Sequence, residues 1–174
     1  MVAAKALSPV ATLEGFGVAI DPGVRGCGVA VFHDGEFVHA QYTGCFGGQV
    51  HPLLEPGARL LSEVSGIFDL GVSELVIEKP KVYDTRHQKG DQRDLVNLAI
   101  VVGGIMEAAS PFVGSILLVE PWQWKGQTPK EISNERTKAA LTKAELEGVS
   151  LPKAKSLHHN VWDAIGIGLY RWRG

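Results

Sequence analysis

Two turn signals near the start constrain this chain more than any other feature. Pro22-Gly23 and Asp34-Gly35 separate three strand-like runs, 15–21, 26–33 and 36–43. Phe16, Val18 and Ile20 alternate along the first run, the period of a strand with one buried face. Strands joined by turns this short fold back on one another, so the chain opens with three antiparallel strands. The pattern then changes. Leu60, Leu61, Val64, Ile67 and Phe68 recur at helical spacing up to Gly71, and a short continuous apolar strand follows at 74–78. A long apolar helix at 91–109 and a strand at 115–119 come next. Thr128-Pro129-Lys130-Glu131 reads as an N-cap, first-turn proline and capping box, for a helix running to about Leu146 before Gly148. A last helix covers 157–172. Strands alternating with helices imply an α/β fold: a mixed five-stranded sheet, three antiparallel strands then two parallel ones, with helices on both faces.

The 174 residues suit one domain, expected over 14–174 behind a flexible 1–13. A formal net charge of −2 excludes a protein that coats nucleic acid by charge alone, so any polyanion site is local. Cys27 and Cys45 form no C-x-x-C pair and no zinc pattern, which suits a reducing compartment. No apolar run is read as a membrane span and no secretory signal is recognised, so the expected setting is cytoplasmic, with no membrane partner.

Three acidic residues lie at the end of an apolar element or inside one. Asp21 closes the first strand and Glu78 the fourth; each alone reads as an ordinary turn residue or solvated strand end. Asp163 is different. Val161, Trp162, Ile165, Ile167 and Leu169 surround it, and a lone buried carboxylate costs several kcal/mol unless paired or bound to a metal. His159 and Asn160 share its helix face, and Gly166 on that face is expected to let the helix approach the sheet. If the first and fourth strands are parallel neighbours, Asp21 and Glu78 meet at the carboxyl edge of the sheet, where α/β sheets place their sites. Such a cluster of carboxylates suits Mg2+ or Mn2+.

The run from Gly17 through Asp21-Pro22-Gly23 to Val31, the segment Leu75-Val76-Ile77-Glu78-Lys79-Pro80, and His159-Asn160-Val161-Trp162-Asp163 onward to Leu169 resemble three motifs of one family. They are similar to the first-strand, fourth-strand and last-helix motifs of the RuvC-like Holliday junction resolvases, within the ribonuclease H-like superfamily. Trp124-Lys125-Gly126 followed by Pro129-Lys130 resembles segments of the compact, phage-type members. The resemblance implies a ribonuclease H-like fold and a structure-selective endonuclease that resolves four-way DNA junctions. It makes Asp21, Glu78 and Asp163 metal ligands for two ions per active site, with Asp21 as the bridge. Bacterial members carry a carboxylate or histidine three residues before the last aspartate. Here Asn160 stands there, so either Asn160 or His159 supplies the fourth group, His159 being preferred because imidazole can both ligate and move a proton.

Two stretches are basic. Lys79, Lys81, Arg86, Lys89 and Arg93 outnumber Asp84 and Asp91, and Lys125, Lys130, Arg136, Lys138 and Lys143 outnumber Glu131 and Glu135. Lys79, Lys81, Arg86, Lys89, Arg93, Lys125 and Lys130 are the candidate phosphate contacts, with Tyr83 or His87 stacking on unpaired bases. The implied partners are branched DNA and a second copy of the chain, since cutting two opposed strands needs two sites. The implied location is the cytoplasm of a bacterial or phage-infected cell. The long helix 91–109 is the candidate dimer face, or else a buried core helix. Three rivals stand beside this reading: another ribonuclease H-like nuclease acting on RNA–DNA hybrid or branched DNA, a non-catalytic DNA-structure binder, and an actin-like kinase, which would need a second such domain.

Overall fold

The computed structural model describes residues 13–44, 53, 54, 57–59, 62, 66, 69, 71–81 and 92–174. Five strands form one sheet: β1 (Phe16–Asp21), β2 (Gly26–His33), β3 (Glu36–Gly44), β4 (Val72–Glu78) and β5 (Val113–Val119), in the order β3-β2-β1-β4-β5. The opening three strands are antiparallel, as the turn signals require. Asp34 at φ 50 and Gly35 at φ 82 make the second turn, and the Asp34 Oδ1 accepts the Gly15 N–H at 2.7 Å. β4 runs parallel to β1, with Ile20 beside Ile77, and β5 runs parallel to β4, with Glu78 beside Val119. Both parallel strands start earlier than the sequence suggests, at Val72 and Val113.

The sheet has two unlike faces. Val18, Ile20, Val29, Leu75 and Ile77 point to one face and pack on Val101, Val102, Ile105 and Ala109 of helix α1 (Gln92–Ala109). The other face is built from smaller residues. There Gly17, Ala19, Gly28 and Ala30 lie under the final helix, His158–Trp172. A Cβ on Gly17 would stand 2.7 Å from Trp172, so the helix rests almost on the strand backbone. Two helices on opposite faces of a mixed sheet are the layer arrangement the sequence implies.

Several expectations need correction. The single helix from 128 to 146 is interrupted. Between β5 and the last helix lie α2 (Pro121–Trp124), α3 (Lys130–Ala139) and α4 (Lys143–Leu146), which makes His158–Trp172 α5. Thr142 stops the continuation because its side chain caps α4, exchanging bonds with Glu145 in a capping box. Thr128 does not cap α3; Pro129 holds that place and Thr128 Oγ1 accepts Arg136 Nη1 at 3.2 Å instead. Leu13, assigned to the flexible terminus, is buried in the core. The helix inferred from Leu60, Leu61, Val64, Ile67 and Phe68 rests on residues outside those described, although the described positions between 57 and 69 are helical.

The stretch Arg93–Phe112, 20 residues with a mean hydropathy of 1.6, does reach the length and composition of a membrane span, against the expectation that none would. Its Val101, Val102, Ile105 and Ala109 close one face of the sheet, the place of a core helix. Val96, Ile100 and Gly103 lie on its exposed side. The helix is therefore a core element along one side and an uncovered apolar strip along the other.

Candidate active site

Strand alternation fixes where the first two acids point. Val18 and Ile20 face α1, so Asp21 faces α5; Leu75 and Ile77 face α1, so Glu78 faces α5. The parallel pairing of β1 with β4 sets both at the same end of neighbouring strands. Asp163 arrives from α5 and is 5% exposed. Its approach depends on a missing side chain. Gly28 pairs with Asp21 across β1 and β2, and a Cβ on Gly28 would lie 1.8 Å from the Asn160 carbonyl oxygen. The first turn of α5 therefore lies against bare β2 backbone beside Asp21.

The convergence is visible in the electrostatics. Burial lifts the Asp21 carboxyl well above its usual range, and Glu78 and Asp163 lift it further against the pull of Lys125 and Lys130. Burial also lifts Glu78, where Lys125 and the Trp124 indole partly offset it and Asp163 adds to it. Three carboxylates thus share one poorly hydrated edge.

Trp124 and Lys125 supply the balance. Trp124 Nε1 donates to Glu78 Oε2 at 2.7 Å, and Lys125 Nζ donates to the same oxygen at 3.3 Å. The ammonium also lies 3.7 Å from Asp163 Oδ2. Burial acts to lower the Lys125 pKa, but Glu78, Asp163 and Asp21 together raise it, so the group is charged. The placement follows from the chain: the Lys79 N–H donates to Val119 O at 2.7 Å, zipping β4 to β5 just past Glu78, and α2 begins at once with Pro121 in its first turn. Glu120 and Gln123 close a capping box on α2. Gly166, expected to ease α5 onto the sheet, instead seats the Trp124 ring, 2.6 Å from where its Cβ would be; Gly168 does the easing, against Phe32.

The sequence reads Lys125 as a phosphate contact and Trp124 only as part of a family-like segment. Both belong to the carboxylate cluster. The signal was available, since an indole N–H can only donate and a buried acid must find donors. Glu120 was missed entirely. Its carboxylate accepts Trp122 Nε1 at 2.6 Å, and Lys79 and Lys81 stand 3.8 and 3.7 Å from it. The Trp122 bond, more than the two lysines, holds Glu120 below the usual carboxylate range.

His159 is half-buried, and burial together with Lys130 holds its imidazole below the usual value against the opposing pull of Asp163. Its ring is close enough to Asp163 to feel that carboxylate, and burial favours its uncharged form. Asn160 contributes its backbone, packed against Gly28. Arg93 is exposed in the first turn of α1, on the other face of the sheet. Tyr83, Arg86, His87 and Lys89 lie outside the described residues. Among the described residues, no three His, Cys, Asp or Glu side chains are already disposed to hold a metal ion. Lys125 stands between two of the three acids.

Neither a protein-family model nor a curated protein matches the sequence. Solved structures do match the fold. RuvC of Thermus thermophilus in complex with Holliday junction substrate aligns with a TM-score of 0.61 at 18% identity, over 90% of this chain and 92% of that one. A second Thermus thermophilus RuvC structure aligns at 0.56 and 17% identity, over 89% and 92%. The yeast mitochondrial Holliday junction resolvase Ydc2 aligns at 0.54 and 8% identity, over 94% of this chain and 82% of that one. The fold of this chain is the ribonuclease H-like fold of the RuvC-type Holliday junction resolvases.

Proposed function

We propose that the protein is a metal-dependent endonuclease that cuts branched DNA, with four-way junctions as its substrate. The observation that carries this reading is the meeting of Asp21, Glu78 and Asp163 at the carboxyl edge of the sheet, opposed by fewer positive charges than a buried trio of acids requires. The donor set fits Mg2+ or Mn2+: all oxygen, mutually repelling, and drawn together by strand and helix rather than by one another. Asp21, which both of the other acids raise, would hold the ions together with Glu78 and Asp163. When bound, such ions supply activation of water and stabilisation of the leaving oxygen of a phosphodiester.

The chain's own residues do the rest. His159, whose imidazole burial holds below its usual value, takes a proton beside Asp163; Asn160 is the alternative fourth group and has no such capacity. Lys130 bears electrostatically on both Asp21 and His159, which supports a role for it in holding a phosphate. Lys79 and Lys81 share the single charge of Glu120, leaving net positive charge at the rim. Resolution of a junction needs two opposed cuts, hence two copies of the chain, and the Val96, Ile100 and Gly103 side of α1 is the face for that pairing. Val101 and Ile105, both fully buried, are not available to it. Sedimentation of Val96→Glu and Ile100→Glu tests the pairing: both variants should be monomeric where the wild type is dimeric.

A second reading, a binder of DNA structure without cleavage, draws on Lys125 lying between Glu78 and Asp163, with no ready-made metal cluster among the described residues. One experiment separates the readings. Four-way junction, linear duplex and RNA–DNA hybrid are each incubated with Mg2+ and with chelator. Cleavage of the junction alone, abolished by chelator, is expected. Binding of the junction without cleavage in any metal selects the second reading, and preferential cutting of the hybrid selects a different nuclease of the same fold.

A further inference from the structure

The Lys125 ammonium sits 3.3 Å from Glu78 Oε2 and 3.7 Å from Asp163 Oδ2, so it fills the gap a cation bridging those two acids would occupy. Its other neighbours do not lock it there. The ammonium lies 4.5 Å from the centroid of the Trp124 ring, and its side chain is 25% exposed. It belongs to the turn after α2, followed by Gly126 at φ 60 with open space around it. A long, flexible stem rooted at a turn can swing its charge outward while keeping contact with the indole face.

We infer that Lys125 is an internal counter-cation: it holds Glu78 and Asp163 together in the metal-free protein, and a divalent ion binds by displacing it. The inference rests on the metal reading of this edge. It makes metal loading an exchange of one charge for two, weakened by whatever free energy the lysine contributes to the empty site. The lysine is a positioning residue here, acting through Glu78 and Asp163. Once displaced, its charge moves to the solvent side of Trp124, so a loaded site presents one more cation to an incoming phosphodiester.

Two measurements test this without reference to cleavage. Calorimetric titration with Mn2+ should show Lys125→Met binding about tenfold tighter than wild type, a coupling of ordinary size for linked sites. Lys125→Arg should bind no tighter than wild type, because a cation still occupies the gap. An unchanged or weaker affinity for Lys125→Met overturns the inference. Should that variant fail to fold in chelator, the wild type still decides: reductive methylation read by peptide mass spectrometry should modify Lys125 severalfold faster in Mg2+ than in chelator. Lys138, paired with Glu135 on α3, is the internal control and should not change. Equal Lys125 reactivity in the two conditions overturns the inference. Absence of any Mn2+ binding by the wild type removes the metal reading itself, a separate failure.

Discussion

Glu74 and Glu78 lie on the same strand and the same face, and each accepts a tryptophan indole, yet the two ends of β4 are built for opposite purposes. Glu74 meets α5 near its C-terminal end. Arg171 donates Nε to Oε2 at 2.7 Å and Nη2 to Oε1 at 2.9 Å, and Trp172 Nε1 donates at 3.0 Å. One acid faces one fixed guanidinium, and the account closes. At the other end Glu78 shares Trp124 and Lys125 with Asp163 and Asp21, so one ammonium faces three acids. Identical side chains in identical strand positions thus become a clamp or a site according to the charge that surrounds them.

The comparison breaks most sharply by neutralising the acids. Asp21→Asn, Glu78→Gln or Asp163→Asn should lower junction cleavage by roughly a thousandfold or more, the loss of several kcal/mol of transition-state stabilisation. The same variants should leave junction affinity unchanged or raise it, read by gel shift in chelator. Full activity in any one removes that residue from the site. At the other end, Glu74→Gln should leave cleavage intact and destabilise the fold by about 2 kcal/mol, because it takes one charged oxygen from the Arg171 fork. That is a fall of roughly 4–8 °C in melting temperature for a chain of this size. A loss of cleavage without loss of stability would erase the distinction between the two ends.

Gly28→Ala tests the join between them. Its Cβ would meet the Asn160 carbonyl at 1.8 Å, so the start of α5 must lift away from Asp21. Overpacking of this kind costs about 1–3 kcal/mol, and here it should also reduce metal affinity, which Glu74→Gln should not. The smallest effect concerns a third acid that is wholly paired. Hydrogen bonding from Arg173 holds Glu145 down from 4.5 to about 2. Its folded value lies below its unfolded one, so it stabilises the protein above about pH 4.5 and loses that contribution as pH falls toward 2. Glu145→Gln should flatten this part of the melting-temperature profile, melting slightly below the wild type at neutral pH and converging with it as pH falls toward 2.

The antiparallel opening strands and the direction in which the acids point were legible because they rest on local rules. The turns at Pro22-Gly23 and Asp34-Gly35 dictate antiparallel strands, strand alternation aims Asp21 and Glu78, and the apolar surroundings of Asp163 demand partners. The partners themselves were not legible. Which donor reaches Glu78 depends on α2 starting immediately after β5, a tertiary fact with no periodic signature. The break in the helix after Ala139 could have been found, since Thr142-x-x-Glu145 is itself a capping box. It was passed over in favour of the capping pattern at Thr128 and the stop at Gly148. Gly166 and Gly168 are indistinguishable in sequence; only the neighbours Trp124 and Phe32 tell them apart.

The seating of α5 on bare strand backbone also sets a sequence of events in time. Asp21 and Glu78 come from strands made early, Lys125 follows, and Asp163 lies in the last helix of the chain. As a chain emerges from synthesis N-terminus first, the trio has no third member until that helix has been made and has docked against Gly28. Docking of that helix is therefore the step that completes the trio, and a chain without it holds only Asp21 and Glu78.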